Sequence, residues 1–376
     1  MARIMIIAGE TSGDLHGGLL VKELLALRPG TEIYGIGGDR MRDAGMELLY
    51  HIREFSFMGF VEVLGHLPFI RSVMRKLSLM LATRRPDAVV LIDYPGFNLR
   101  FARQAHRLGI PVAYYISPQV WAWGTGRVRK IRRLVDKMLV ILPFEQEFYR
   151  RRNVPATYVG NPLVDTARPS LARREFCDRH GLDPQRHVIG LLPGSRAQEI
   201  ERILPVMLRT CALLHGQDAS LQFALGLAPH VDRARVEQLV AAGGTAVALV
   251  PELPYDVMAH SRLALVASGT ATLEAGIIGT PMIIIYRTAA LTYLIGRALV
   301  RVPFIGLVNF VAGKQVIPEF VQGEARPGAI FLMAQLLLPD GPPRAAVLAE
   351  LAKIKRLLGE PGAARRAAQQ VAELLP

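Results

Sequence analysis

The chain has 376 residues, 51% of them hydrophobic and 20% charged, and its 45 Lys and Arg against 32 Asp and Glu leave a formal net charge of +13. That much apolar material excludes a disordered chain, and the length suits two domains of roughly 150–200 residues rather than one core. The two cysteines, Cys177 and Cys211, exclude a disulfide framework and a four-cysteine zinc site.

In chain order, Ile4–Ala8 is an apolar run too short for a signal-peptide core, and it predicts a first strand. Gly17–Leu27 reads as the helix that follows, and Glu32–Ile36 as a second strand closed by Gly37-Gly38. Ala88–Ile92, Val112–Ile116 and Lys137–Ile141 read as further strands, with a helix at Phe97–Leu108. Arg168–Gly181 is a polar linker with a short helix, after which the rhythm restarts. Val188–Leu192, Leu221–Leu225, Ala246–Val250, Leu263–Ala267 and Pro281–Tyr286 are predicted strands, with helices at Ile200–Leu214 and Ala271–Ile278. Arg344 to Leu375 is a charged, Ala-rich helical tail.

Apolar strands alternating with helices predict parallel sheets covered on both faces. Two such series predict an α/β protein of two Rossmann-like domains facing a central cleft. The expected division is 1–165, 166–340 and a helical tail at 341–376. Neither apolar stretch long enough to span a bilayer survives inspection. Arg297, Arg301 and Pro303 interrupt Ala289–Val311, and Leu108–Gly126 carries prolines and glycines. The chain is therefore expected to be cytoplasmic and soluble, attached to a membrane surface.

Open α/β sheets bind ligands at the carboxyl ends of their strands, and four loops there carry chemistry. Gly9-Glu10-Thr11-Ser12-Gly13-Asp14 offers close backbone approach and a helix start, or simply an N-cap. Asp93, just past a buried strand and before a proline turn, is a candidate general base or an Asx-turn. Gly194, Ser195 and Arg196, with Glu199 one turn on, suit a pyrophosphate, and the plain alternative is an Arg196–Glu199 surface pair. Ser268, Gly269 and Thr270 open a second hydroxyl-rich helix start, with Glu274 placed to reach ribose hydroxyls. The spacing matches neither a Walker A loop nor G-x-G-x-x-G, no Asp-x-Asp occurs, and no metal ligand set is expected.

Nine basic residues lie between Arg127 and Arg152, beside Trp121-Ala122-Trp123. Phe57–Ile70 adds nine large apolar side chains ahead of Arg71, Arg75 and Lys76. Basic and greasy segments together predict an interfacial docking site, with a core helix and basic rim as the alternative. Nucleic acid would use the same charges, but no nucleic-acid motif appears.

Together these segments resemble one family. Gly9–Asp14, Ile92–Asn98, Ser117–Trp123, Leu142–Glu145, Leu192–Arg196 and Ser268–Glu274 occur in the order found in lipid-A-disaccharide synthases, glycosyltransferases of the GT-B type from Gram-negative bacteria. The resemblance spans roughly residues 4 to 320. It implies inverting transfer from UDP-2,3-diacylglucosamine to 2,3-diacylglucosamine 1-phosphate, giving a β-1,6 disaccharide 1-phosphate and UDP, without a metal or other cofactor. It implies Asp93 as the base, with Asp14 and Glu10 as alternatives and His16 chemically suitable. UDP would lie on Gly194, Ser195, Arg196, Glu199, Ser268, Gly269, Thr270 and Glu274, with Asn309 and Gln315 nearby. Trp121, Trp123, Arg129, Arg132 and Arg133 would meet the acceptor or an anionic inner-membrane surface. Many members carry a second Asp where this chain has Gly96, so an acid there cannot be the base. The tail is expected either to exchange in a homodimer or to return to the first domain. Two neighbouring readings are a GT-B N-acetylglucosaminyltransferase of peptidoglycan precursors and a UDP-sugar 2-epimerase. A basic membrane-surface or RNA-binding scaffold would leave the strand-end loops without a job.

Overall fold

The computed structural model describes residues 2–55, 67–122, 124, 126–229, 231–299 and 302–376. The chain divides into two units, 1–162 with 360–376, and 163–359.

The first unit is built on a seven-stranded parallel sheet. Its strands are β1 (Arg3–Ala8), β2 (Glu32–Gly37), β3 (Glu47–His51), β4 (Ala88–Ile92), β5 (Val112–Tyr115), β6 (Lys137–Val140) and β7 (Ala156–Tyr158), in the order β3-β2-β1-β4-β5-β6-β7. From Ile4 on, the residues of β1, and every residue of β4, are buried, as strands covered on both faces require. Alternate side chains feed two cores, one holding Met5, Val89, Phe101 and Tyr114, the other Ile4, Val90, Ala113 and Leu139.

The second unit repeats the plan with β8 (Val188–Leu192), β9 (Gln222–Leu227), β10 (Ala248–Pro251), β11 (Leu263–Ala267), β12 (Met282–Tyr286) and β13 (Glu319–Val321), in the order β10-β9-β8-β11-β12-β13. All neighbouring pairs in both sheets are parallel.

Three strands escape the sequence reading, namely β3, β7 and β13. All three are edge strands, half-buried or less, so none carries a continuous apolar run. The first helix runs Thr11–Leu27, six residues earlier than predicted. Gly13, Gly17 and Gly18 argue against helix locally. In the fold, however, Gly17 is packed against Met41 and Ile92, where a side chain would not fit, so tertiary packing overrides propensity.

The expected single tail is two helices. Pro342–Leu357 belongs to the second unit, and Ala363–Ala372 to the first, with Gly359, Pro361 and Gly362 breaking the helix between them. Ala367, Ala368, Val371 and Leu375 join the Ile4 core, and Arg366 donates to the Val159 carbonyl at 2.8 Å. The last helix of this chain thus returns to its own first unit. Among the described residues no helix is long and apolar enough to cross a membrane.

Candidate active site

In each sheet one strand has neighbours formed by leaving it in opposite directions, and this opens a crevice at the carboxyl end. In the first unit that point lies between β1 and β4, paired through Ala8 and Ile92. The loops leaving it are Gly9–Asp14 and Asp93–Asn98. In the second unit it lies between β8 and β11, and the loops are Pro193–Arg196 and Ser268–Thr270. The fold thus brings the four chemically loaded loops to the two switch points in pairs.

Asp93 and Tyr94 both adopt left-handed backbone, with φ of 43° and 46°. Such conformations cost non-glycine residues energy and persist only where the surroundings enforce them. Asn98 enforces this one by donating Nδ2 to the Ile92 and Asp93 carbonyls at 3.1 and 2.7 Å. Tyr114 donates its hydroxyl to the Asp93 carbonyl at 2.5 Å. Pro95 then sits in the first turn of helix Pro95–Arg107, where its missing N–H costs nothing. The Tyr94 ring lies against Gly9, and a Cβ there would collide with it.

This turn leaves the Asp93 carboxyl largely desolvated and near Glu10. Burial first, and the Glu10 charge second, push its pKa up from 3.8 to about 6. A carboxylate so tuned is ionised at neutral pH yet basic enough to accept a proton.

The other candidate acids differ. Glu10 is exposed at the N-cap of helix Thr11–Leu27. Asp14 is 5% exposed, and its carboxylate accepts from the backbone N–H groups of Gly38, Arg40 and Met41 at 2.7, 3.1 and 3.1 Å. It braces the start of helix Asp39–Asp43, with its oxygens turned to the protein. Burial lowers the pKa of His16 to about 4, so its imidazole is neutral at physiological pH.

In the second unit, Gly194 takes φ 104°, which favours glycine, and lies against the Glu199 side chain. Arg196 is the N-cap of helix Ala197–Gln217 and bonds Glu199 at 2.8 Å. The surface pair therefore forms, and it aims a largely exposed guanidinium beside the helix start. Thr270 begins helix Thr270–Ile278. Glu274 sits one turn in and accepts from the Tyr255 hydroxyl at 3.0 Å, its pKa raised by burial.

Other predicted residues are occupied within the protein. Ser268 donates its hydroxyl to the Ile305 carbonyl at 2.7 Å. Asn309 is fully buried, and its amide serves Val316, Ile317 and Glu319 at 2.8–2.9 Å. Glu319 also accepts from the Ile305 and Gly306 N–H groups, so it shapes the loop beside Ser268. Gln315 is exposed.

Trp121 donates Nε1 to Glu145 at 3.1 Å, joining the Ser117–Trp123 and Leu142–Glu145 segments. Glu145 is 1% exposed, and burial raises its pKa to about 7. Helix Arg127–Leu134 buries Val128, Ile131 and Leu134 and exposes Arg129, Lys130, Arg132 and Arg133. Trp123 and residues 57–66 of the greasy segment lie outside the described residues. Among the described residues no three His, Cys, Asp or Glu side chains gather as a metal site.

Sequence reasoning missed Asn98, Tyr114, Tyr255, Glu145 and Glu319. Asn98 and Glu145 stood within quoted segments without a role. The Glu319 and Tyr255 contacts join segments 10–19 residues apart, and no local pattern marks them.

Two switch-point sheets of this kind define the architecture of GT-B glycosyltransferases and their structural kin. The Neisseria meningitidis UDP-GlcNAc 2-epimerase bound to UDP-GlcNAc shares the fold, with a TM-score of 0.63, 12% identity and coverage of 99% of each chain. So does the glycotransferase of kitacinnamycin, with a TM-score of 0.67, 17% identity and coverage of 100% of this chain and 99% of that one. A family model described as lipid-A-disaccharide synthetase matches residues 4–372. The lipid-A-disaccharide synthase of Myxococcus xanthus is 44% identical over 374 residues, covering 100% of this chain and 98% of the relative. That of Geobacter sulfurreducens is 45% identical over 373 residues, covering 99% and 97%. The chain belongs to the lipid-A-disaccharide synthetase family and is a glycosyltransferase.

Proposed function

We propose that this glycosyltransferase moves 2,3-diacylglucosamine from UDP to the 6-hydroxyl of 2,3-diacylglucosamine 1-phosphate, with inversion, at an anionic inner-membrane surface. The observation that carries the mechanism is Asp93, held in a left-handed turn at the first switch point with its pKa raised to about 6. Asp93 takes the 6-hydroxyl proton as the oxygen attacks the anomeric carbon. The bond from that carbon to UDP breaks through an oxocarbenium-like transition state, as in glycoside hydrolysis. Glu10 sustains the raised pKa, and Asp14 holds the neighbouring loop rather than the proton.

UDP departs against the helix starts at Gly194–Arg196 and Ser268–Thr270. Backbone N–H groups, the exposed Arg196 guanidinium and the helix dipoles balance the charge that develops. Glu199 positions Arg196, and Glu274 holds ribose hydroxyls. These groups carry the leaving-group charge without a metal. Trp121 and the exposed arginines of helix Arg127–Leu134 face the acylated acceptor and the membrane.

The test is turnover of both purified substrates by the wild type and by Asp93→Asn, with EDTA present. Disaccharide and UDP from the wild type, lost in a folded variant that still binds UDP, is the expected result. Activity that survives in Asp93→Asn removes Asp93 as the base. Activity that needs an added divalent cation removes the metal-free reading.

A further inference from the structure

A groove of about 530 Å³ in the second unit lies outside the loops assigned above. Its walls include Arg202 and Arg209 on helix Ala197–Gln217 and Arg287 just past β12. Arg202 and Arg209 are seven residues apart with Pro205 and Val206 between them, so they share one helix face. Arg202 donates to the Gln198 carbonyl, and among the described residues no carboxylate pairs with Arg202, Arg209 or Arg287. The acid in the wall, Glu201, is already engaged by Arg235 at 2.5 and 2.9 Å. The floor is fixed, because Gln322 bonds both the N–H and the carbonyl of Thr288 through its side chain.

A second groove, of about 590 Å³, shares Gln322 and Gly323 with the first. Its lining combines Tyr293, Phe320, Val321 and Ala329 with the charged Glu319, Glu324 and Arg326, and Glu319 is already engaged by the Ile305 and Gly306 N–H groups. Ala290, the first residue of helix Ala290–Leu299, lies in the wall of the first groove, and one turn along that helix Leu294 is 64% exposed. Three guanidinium groups without acid partners among the described residues therefore adjoin a trough whose exposed lining is mostly apolar, with Glu324 and Arg326 at its charged positions. Guanidinium groups match phosphate oxygens bidentately, and an exposed trough of this size suits an acyl chain.

We propose that these joined grooves form a second lipid-phosphate site, with the phosphate between Arg202, Arg209 and Arg287 and an acyl chain along Tyr293 and Phe320. The ligand class is a phosphorylated amphiphile. Its two sources are the acceptor's own 1-phosphate and a membrane phospholipid headgroup. The first source rests on the proposed function, but the site itself does not.

The probe is monododecyl phosphate, measured by calorimetry against full-length protein, with inorganic phosphate and dodecyl maltoside as partial mimics. Arg202→Gln/Arg209→Gln/Arg287→Gln is expected to weaken monododecyl phosphate about tenfold or more. The corresponding Lys triple is expected to restore part of that loss. Arg179→Gln, on the Glu175 surface pair, is the control and is expected to change nothing. Tyr293→Ser is expected to weaken monododecyl phosphate but not inorganic phosphate. Unchanged affinity in a folded Gln triple, or equal binding of dodecyl maltoside, overturns the site.

The source is read in two further arms. A raised KM for the phosphorylated acceptor, with the KM for the sugar nucleotide unmoved, assigns the site to the acceptor. Weaker binding to phosphatidylglycerol vesicles, with acceptor KM in detergent unmoved, assigns it to the membrane. The probe arm needs no turnover, so it still reports on the groove if the proposed reaction fails.

Discussion

At the residue scale the proposed chemistry rests on Asp93. Its carboxyl has a higher pKa folded than unfolded, because burial and Glu10 disfavour the charge. Ionised Asp93 therefore costs stability above about pH 6, and the cost is relieved as pH falls from about 6 toward 4. Asp93→Asn removes that cost. Its thermal midpoint is expected to rise, by the equivalent of about 1–3 kcal/mol, while turnover falls roughly 10²–10⁴-fold. A variant that is both less stable and inactive would contradict this account. In the wild type, kcat/KM is expected to fall about tenfold per pH unit below about pH 6. Gly96 offers a second handle, since a Cβ there meets nothing within 4 Å. Gly96→Asp adds a carboxylate two residues after Tyr94, and like charge raises a neighbouring acid. The acidic limb of the pH–rate profile is expected to move upward. A limb that stays fixed would place the added charge out of reach of Asp93.

At the element scale, the strand-to-helix turn at 92–98 is held by side chains rather than by its own backbone. Asn98→Ala removes the donor shared by the Ile92 and Asp93 carbonyls, and Tyr114→Phe removes the other. Each loses a hydrogen bond at a buried position, so urea titration is expected to show a loss of about 1–3 kcal/mol. Relaxation of the turn is also expected to lower kcat while leaving UDP affinity alone, because the loops proposed to hold UDP belong to the second unit. Equal loss of UDP binding would mean that these substitutions unfold more than the turn. The basic helix Arg127–Leu134 behaves differently. Its charges are solvated and its apolar stripe is buried. Charge reversal at Arg129, Lys130, Arg132 and Arg133 is therefore expected to leave stability nearly unchanged and to weaken cosedimentation with anionic vesicles. Undiminished cosedimentation would remove this helix from the membrane contact.

At the scale of the whole molecule, the chain end completes the first unit. Ala363, Ala367, Ala368 and Val371 are fully buried, and Lys137 pairs with Glu373. Deleting 360–376 exposes the face of helix Thr11–Leu27 that they cover. The expected loss is roughly 5 kcal/mol or more, read as a lower melting transition for the first unit. A truncated chain that melts like the full one would show that the last helix adds nothing to that core.

Much of the two-sheet plan was legible, because β1, β4, β8 and β11 are buried on both faces and so appear as continuous apolar runs. The edge strands β3, β7 and β13 were not, since half-exposed strands of three to five residues carry no such run. The loops at the strand ends were also legible, because glycine, proline and hydroxyl residues cluster there for local backbone reasons. Their pairing across β1 and β4, and across β8 and β11, depends on strand order, which is a long-range property. The same division holds for single residues. Asp93 and Arg196 could be chosen from local pattern and family resemblance. The full engagement of Asp14 and Asn309 by neighbouring backbone could not, because their partners lie up to 27 residues away. Composition and periodicity alone determined that this is a basic α/β protein of two parallel-sheet units, because hydrophobic period is a property of each segment by itself. Only the tertiary structure decided which acid is strained, desolvated and near a second charge, because burial and field are set by the neighbours that folding brings together.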